Sequence, residues 1–285
     1  MVTFANESML LNLITLWQKS FGDSPNYIRM FLDLNFDRIK TIVYVTGEDT
    51  VIPVSVAYLL PVTYVEKGKA DMPCWYLYAA ATLPEYRGRG YFAEILKFVE
   101  EKLPEPMILV PGEESLISYY EKQGMHVWLK ARKLNFNEGD LLRDKMACVS
   151  DISTEEYIKT RNSILTEMTA LKEDGFMAWN EQFLKYICHE NQYCGGEKKR
   201  ITIAEEQFLT MYRVENEVVK VLELIPQTQV DACIHGLLDF INEKNLPDSK
   251  NTRSKAAEVI LQPTVMANSK LKATQGEGYF NLIMA

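Results

Sequence analysis

The sequence predicts a mixed α/β protein of two domains, each consisting of a sheet flanked by helices. Its 285 residues are enough for two domains of ordinary size. Runs of β-branched and aromatic residues alternate with segments whose apolar residues recur at helical spacing. A strand–helix–strand unit in the middle of the first half favours a mixed sheet with helices on both faces.

The first half predicts the order helix–helix–hairpin–strand–helix–strand–helix–strand. Phe21-Gly22 is typical of a helix end, and Ser24-Pro25 is typical of a helix start. The helices are expected from near Asn6 to Ser20, from Ser24, from Tyr91 to a stop at Pro104, and from Gly112 to Gly124. The strands are expected at 41–45, 51–60, 74–82, 107–111 and 125–136, with a turn at Gly47-Glu48-Asp49.

A polar stretch at 137–145 separates the two halves and predicts a first domain at 1–136 and a second at 146–285. The second half echoes the first in a looser form, which suggests a degenerate copy of the first domain. Its helices are expected near 154–172, 178–190 and 228–244, and its strands near 200–204, 207–214, 217–225 and 279–284.

Composition excludes several classes of protein. Hydrophobic residues at 47% and charged residues at 25% are the balance of a globular protein rather than of a disordered chain or a fibre. With 31 basic and 39 acidic residues the formal net charge is −8, so nucleic acid is not an expected partner. Five cysteines without tight spacing predict no metal site and indicate a reducing, cytoplasmic compartment.

No membrane association is expected from the sequence. The first 22 residues are amphipathic and lack a basic start, unlike a signal peptide. A membrane-spanning helix needs about 18 or more apolar residues in a row, and the sequence contains no such run. Oligomeric state stays open at this point.

The segment most informative about chemistry is residues 81–91, ATLPEYRGRGY. A strand leads into a glycine-containing turn that opens a helix, whose first amides have no intrahelical partners and carry partial positive charge. Two glycines allow close backbone approach or positive φ, and two arginines add charge. These features predict an anion-binding loop suited to a pyrophosphate. The loop is neither a P-loop nor a Rossmann fingerprint.

A second segment, Ser118-Tyr119-Tyr120-Glu121-Lys122-Gln123-Gly124-Met125, follows the next strand. Together the two segments resemble the GNAT acetyltransferase superfamily, whose members carry Arg/Gln-x-x-Gly-x-Gly/Ala before a helix and often Tyr-Glu-Lys-x-Gly-Phe later. Arg87, Gly88 and Gly90 match, whereas Phe92 stands where the family prefers a small residue and Met125 replaces the usual Phe. The resemblance is specific over 74–126, plausible over 1–136, and implies a mostly antiparallel GNAT-like sheet.

The resemblance implies roles for particular residues in holding coenzyme A. The strand residues Ala80, Ala81 and Thr82 match those that pair with the pantetheine arm. The loop and first helical residues match those that hold the pyrophosphate, namely Arg87, Gly88, Arg89, Gly90, Tyr91 and Phe92. The co-substrate implied is acetyl-CoA, with no metal.

Tyr120 matches the tyrosine that the family often uses as a general acid to protonate the departing thiolate. A phenol with a pKa of about 10 is protonated at neutral pH and can donate that proton. Tyr119 and Tyr120 could instead both be core aromatics. The general base stays open: the nearby carboxylates read as helix-capping groups (Glu113, Glu114) or solvated loop charges (Glu66, Asp71, Glu85). A terminal carboxylate at Ala285, as in enhanced-intracellular-survival proteins, is a further candidate.

The sequence therefore predicts an N-acyltransferase that moves acetyl from acetyl-CoA to a primary amine by direct attack. The acceptor is a small-molecule or peptide amine of unknown identity. Two alternatives are a non-catalytic acyl-CoA-binding or regulatory module, and an interaction protein whose fold has lost the cofactor. Turnover of an amine distinguishes the enzyme from the first alternative, and coenzyme A binding excludes the second.

Overall fold

The structure is a computed structural model that describes residues 1–47, 51–137, 147–171, 175–244, 256–262 and 265–271. The chain forms two compact units. The first contains Met1–Tyr64, Asp71–Trp128 and the described residues of Val265–Thr274. The second contains Val65–Ala70 and the described residues of Leu129–Thr264. None of the helices in these ranges is long and apolar enough to cross a membrane.

The first unit begins with a short strand, two helices and a three-stranded antiparallel meander. Its elements are β1 (Val2–Phe4), α1 (Leu10–Phe21), α2 (Pro25–Asn35), β2 (Lys40–Thr46), β3 (Ile52–Val65), β4 (Met72–Thr82), α3 (Tyr91–Lys102), β5 (Met107–Leu109), α4 (Ile117–Lys122) and β6 (His126–Leu129). Strands β1 to β4 pair antiparallel in order, and β5 then pairs with β4 in parallel.

Local signals in the sequence set the helix ends of this unit. Ser24 accepts a hydrogen bond from the Tyr27 N–H and Pro25 is the first residue of α2, as predicted. Gly22 ends α1 in the left-handed conformation, with φ of +81°. Asn6 caps a 3₁₀ turn that precedes α1, so the first helix begins at Leu10 rather than near Asn6.

The two faces of the first sheet bury different kinds of side chain. On one face, α1 and α2 bring Trp17 and Phe31 against Tyr58 and Tyr78 of the sheet, with ring centroids 5.1–5.8 Å apart. On the other face, α3 packs an aliphatic core in which Ile95 and Leu77 are buried. This division places α3 and α4 on one side of β4 and the helical pair α1–α2 on the other.

Apart from its first strand and one strand between its first two helices, the second unit follows the order strand, two helices, three strands, helix, strand, with which the first unit begins. Its elements are β7 (Arg132–Asn137), β8 (Ala147–Asp151), α5 (Thr154–Leu171), β9 (Phe176–Trp179), α6 (Glu181–Tyr193), β10 (Glu197–Ile203), β11 (Glu206–Glu215), β12 (Val218–Ile225), α7 (Val230–Lys244) and β13 (Ala256–Gln262). Strands β8, β10, β11 and β12 pair antiparallel in that order, and β13 pairs with β12 in parallel. That this unit is a degenerate copy of the first stays a prediction.

Each sheet contains one strand from the other half of the sequence. The last described strand, β14 (Val265–Ala267), lies between β5 and β6 in the first sheet. Conversely, β7 pairs with β13 at the edge of the second sheet. The single strand predicted over 125–136 is therefore two strands in two different sheets. The domain limits predicted at 136 and 146 stay a prediction, since residues 138–146 lie outside the described ranges.

Some predicted features are displaced or lie outside the described ranges. The N-terminal strand β1 was not predicted, because three residues are too few to show a periodic pattern. The turn at Gly47-Glu48-Asp49 is described only up to Gly47. The strand predicted at 279–284 and the terminal Ala285 are not in the described ranges.

We expect β14 to be necessary for the stability of the first unit. Met266 is fully buried in the same core as Leu109 and Ile95. Met266→Ala should lower the free energy of unfolding by about 2–5 kcal/mol, because it removes a buried side chain and leaves a cavity. Urea denaturation measures this, with the exposed Leu11 changed to alanine as the control. A loss equal to that of Leu11→Ala would contradict a structural role for β14.

Candidate active site

The candidate site lies where β4 and β5 separate. Their parallel pairing covers only Trp75, Tyr76 and Leu77 on β4, opposite Met107, Ile108 and Leu109. Strand β4 continues to Thr82, whereas β5 ends at Leu109. The edge of β4 that faces away from β3 therefore has no described strand partner beyond Leu77. Backbone groups along this edge are available to an extended ligand.

A bulge interrupts β4 at this opening. The pairing with β3 shifts so that Ala79 and Ala80 lie opposite the single residue Ala57. Ala79 has φ of +44°, which is an unfavourable conformation for a residue with a Cβ atom. A bulge of this kind turns backbone groups away from the ladder, so the strained alanine marks this position as a candidate site rather than ordinary strand.

The end of β4 is fixed by side-chain hydrogen bonds. The hydroxyl of Ser55 donates to the Ala81 carbonyl at 3.0 Å and lies 2.8 Å from the Thr82 hydroxyl. The Arg87 Nε donates to the Thr82 carbonyl at 3.1 Å. These bonds hold the strand end and the start of the following loop in one defined geometry.

The loop before α3 has the form of an anion-binding site. Gly88 and Gly90 have φ of +74° and +79°, so both positions favour glycine. Gly90 is the N-cap residue and provides no side-chain hydrogen bond, which leaves the first amides of α3 open. The Arg89 guanidinium donates to the Glu85 carbonyl at 3.1 Å and lies 5.2 Å from the Tyr86 ring centre.

Aromatic contacts hold the first turn of α3 on both sides. The Tyr91 ring stacks on Tyr44 of β2, with centroids 4.1 Å apart and planes 13° from parallel. Phe92 packs toward α4, where its ring centre lies 6.4 Å from that of Tyr119 and 6.5 Å from that of Tyr120. Phe92 thus fills space beside the predicted acid, at the position where the sequence departs from the family pattern.

Tyr120 and Ala80 pack in the same core on the α3 face of the sheet. Burial, together with the neighbouring Tyr119, raises the pKa of Tyr120 to about 12. Burial also raises the pKa of Tyr119. A phenol with this pKa keeps its proton at every physiological pH, as a proton donor requires.

The structure also gives a defined partner to a carboxylate that the sequence analysis did not single out. Asp23, in the connection between α1 and α2, accepts a hydrogen bond from the Trp17 Nε1 at 2.7 Å. The Trp17 ring is 5.8 Å from that of Tyr78, the residue directly before the bulge. The Gly22-Asp23-Ser24 sequence predicts a turn between two helices, and nothing in it indicates this hydrogen bond.

Three of the carboxylates considered earlier have side-chain partners. Glu113 accepts from the Ser115 hydroxyl at 3.1 Å, and Glu66 pairs with Lys69 at 2.6 Å. Glu85 lies 3.5 Å from Lys19 on the exposed surface. Ala285 lies outside the described residues, so its candidacy stays a prediction.

The second unit has the frame of this site without the loop. Its β11–β12 pairing carries a matching irregularity beside Glu223, and Gln229 precedes α7 with φ of +48° where Gly90 precedes α3. However, only residues 226–229 connect β12 to α7, whereas residues 83–90 connect β4 to α3. The short connection has neither glycine nor arginine, so it does not form an equivalent anion-binding loop.

Residues 2–127 match the family model described as acetyltransferase (GNAT) domain. The match identifies residues 2–127 as a GNAT acetyltransferase domain and does not extend to the rest of the chain. No curated protein matches the chain.

Solved structures share the fold over most of the chain. A conserved protein of unknown function from Enterococcus faecalis is 13% identical with a TM-score of 0.70, covering 94% of this chain and 71% of that one. A GCN5-related N-acetyltransferase from Kribbella flavida is 14% identical with a TM-score of 0.62, covering 94% and 70%. Eis1 from Mycobacterium abscessus is 10% identical with a TM-score of 0.57, covering 93% and 66%. At these identities the likeness concerns the fold.

We expect Gly90→Asp to abolish most coenzyme A binding. The added carboxylate would stand beside the open amides of α3 and repel a phosphate, so affinity should fall by about 100-fold or more. Gly68→Asp is the matched control, since Gly68 also has positive φ, open space for a Cβ, and a place in the turn at the other end of β4. Calorimetry with coenzyme A measures both. Unchanged affinity in folded Gly90→Asp protein would disprove the loop assignment.

Proposed function

We propose that this protein is an N-acyltransferase that transfers acetyl from acetyl-CoA to a primary amine, by direct attack and without a covalent enzyme intermediate. The observation that carries the proposal is the bulge at Ala79–Ala80, in a strand that leads into an open loop before α3 and shares a core with Tyr120, a buried tyrosine of raised pKa. Each of these three features supplies one requirement of thioester aminolysis.

The loop and α3 would hold the pyrophosphate of coenzyme A. The amides after Gly90 offer hydrogen bonds and partial positive charge to an anion. Arg87 and Arg89 add positive charge. Their hydrogen bonds to the Thr82 and Glu85 carbonyls already restrict the two side chains, so binding would cost less conformational entropy. Gly88, Tyr91 and Phe92 are the other residues of this proposed pyrophosphate site.

The open edge of β4 would pair with the pantetheine arm. Ala80, Ala81 and Thr82 have backbone groups for this pairing and side chains small enough to leave room. The acetyl donor would bring the thioester to the bulge, where a backbone amide released from the ladder can polarise the carbonyl. Fixed amide dipoles aimed at developing negative charge are a large source of rate enhancement.

Tyr120 would donate a proton to the departing thiolate. Its pKa of about 12 keeps it in the donor form, and it belongs to the same core as Ala80, on the α3 face of the sheet. Asp23 lies on the opposite side, among the α1–α2 contacts. Its carboxylate would attract the ammonium form of the acceptor, which must then lose a proton, for example to water, before attack.

We expect Tyr120→Phe to lower kcat by about 100-fold, the usual effect of removing a general acid, while coenzyme A affinity changes little. The phenylalanine keeps the ring and its packing. Tyr119→Phe is the control and should have little effect, because adjacent helical residues point about 100° apart. Thiol release from acetyl-CoA, over a broad amine library, identifies the acceptor and measures the rates.

The pH profile provides an independent check on Tyr120. Because its pKa is raised to about 12, the rate should climb as the acceptor amine deprotonates and should not fall again below about pH 10. A decline between pH 8 and 10 in stable protein would contradict this role. So would equal rates for wild type and Tyr120→Phe when chemistry limits turnover.

We expect Asp23→Asn to raise KM for the amine by about 10- to 100-fold, the scale of a charge-assisted hydrogen bond of about 1.5–3 kcal/mol. The asparagine can still accept from Trp17, so stability and coenzyme A affinity should hold. Asp33→Asn, on the exposed surface of α2, controls for the loss of one negative charge. Steady-state kinetics measure KM for the amine in both variants. An unchanged KM in Asp23→Asn would show that Asp23 does not bind the acceptor.

A further inference from the structure

The segment that follows β14 is attached to two elements of the cofactor site at once. Within the strand, Met266 pairs with Leu109 and Ala267 pairs with Ile108 of β5. The next residue, Asn268, bonds both backbone groups of Met107. Its N–H donates to the Met107 carbonyl at 3.0 Å, and its Oδ1 accepts from the Met107 N–H at 3.1 Å. The side chain of Asn268 thereby extends the pairing along the whole of β5.

The same segment closes the C-terminal end of α3. The Glu100 carboxylate accepts from the Asn268 amide and, at 2.9 Å, from the Ser269 hydroxyl. The Lys270 ammonium donates to the Glu100 carbonyl at 2.6 Å and to the Leu103 carbonyl. The last carbonyls of a helix lack intrahelical partners and carry partial negative charge, so an ammonium there satisfies them and stabilises the helix.

Both attached elements form the candidate site at their opposite ends. Helix α3 is 12 residues long, and its first residue follows the anion-binding loop. Strand β5 has only three residues, and its last, Leu109, is where it separates from β4. A strand this short is held by its neighbours, so β14 and Asn268 contribute to the position of one wall of the opening.

We propose that residues 265–271 form a C-terminal clamp that positions α3 and β5 for coenzyme A, with Asn268 and Lys270 as its positioning residues. Docking of the clamp and binding of coenzyme A are then coupled, and each strengthens the other. The clamp acts through the two elements and does not touch the co-substrate. This inference rests on the proposed coenzyme A site.

The first test removes the ammonium from the full-length chain. Lys270→Met should weaken coenzyme A binding by roughly five- to tenfold, the lower range of measured couplings between sites. Lys270→Arg should restore most of the affinity, because it can still donate to the α3 carbonyls. Lys102→Met, an exposed lysine in the last turn of the same helix, controls for lost charge and should change affinity by less than about twofold. Calorimetry with coenzyme A measures all four proteins.

The second test measures the reverse direction of the coupling. Saturating coenzyme A should slow hydrogen exchange in residues 265–271 and in β5 of the wild type, and this slowing should be smaller in Lys270→Met. Should Lys270→Met fail to fold, Ser269→Ala removes a single hydrogen bond to Glu100 and should show both effects in weaker form.

The outcomes separate the clamp from the proposed function. Wild type that does not bind coenzyme A would overturn the proposed function, and the clamp proposal with it. Wild type that binds, together with variant affinity equal to wild type and no exchange change in 265–271, would overturn the clamp alone. A lower melting temperature in Lys270→Met with unchanged affinity would also overturn it, because it would show a purely structural role.

Discussion

The early end of the pairing between β4 and β5 is the constraint on which the candidate site depends. Two parallel strands that stayed paired to Thr82 would use the backbone groups of β4 within the sheet. Because pairing stops at Leu77, those groups face an opening instead. The bulge at Ala79 and Ala80 lies in the length of β4 that β5 does not pair. Because it inserts one extra residue, Leu77 and Ala80 lie in the same core although they are three positions apart. The structure thus accepts local strain at Ala79 in a stretch of β4 that still pairs with β3 and no longer pairs with β5.

Helix α3 connects this opening to the rest of the first unit. Its N-terminus is left open to a ligand because Gly90 offers no side-chain cap. Its C-terminus is closed by Lys270, and its first turn is held by the stack of Tyr91 on Tyr44. Such a helix presents free amides at one end while being fixed at the other, which is the pre-organisation that anion binding requires.

In the second unit, which lacks the glycine–arginine loop, the core contains a buried cluster of polar side chains. Its core contains a buried ion pair, in which Arg161 Nε lies 3.1 Å from the Glu223 carboxylate and the Tyr157 hydroxyl donates to the same group at 2.5 Å. Burial and the Glu223 charge raise the pKa of Tyr157 well above its usual value. A buried pair of this kind stabilises little relative to apolar packing, but losing one partner is costly. Removing any one of these side chains would therefore leave an uncompensated polar group in the core of this unit.

The features that the sequence determines by itself are those set by residues only a few positions apart. The Ser24-Pro25 start and the Gly22 end are set within one turn of helix, and so is the Arg-Gly-x-Gly loop that opens α3. These depend on local dihedral preferences and unpaired amides, which a sequence displays directly. The two segments that resemble the family also lie within one continuous stretch of the chain, and residues 2–127 match the family model.

Tertiary structure alone decided the rest. The place of β14 between β5 and β6, the transfer of β7 to the second sheet, and the contact of Lys270 with α3 join residues more than a hundred positions apart. The hydrogen bond from Trp17 to Asp23 joins residues close in sequence, yet the packing of the Trp17 ring against Tyr78 of β4 depends on how α1 lies on the sheet. Short strands carry too few residues for a periodic signal, and their partners are chosen by packing and register across the whole domain, which no local pattern records.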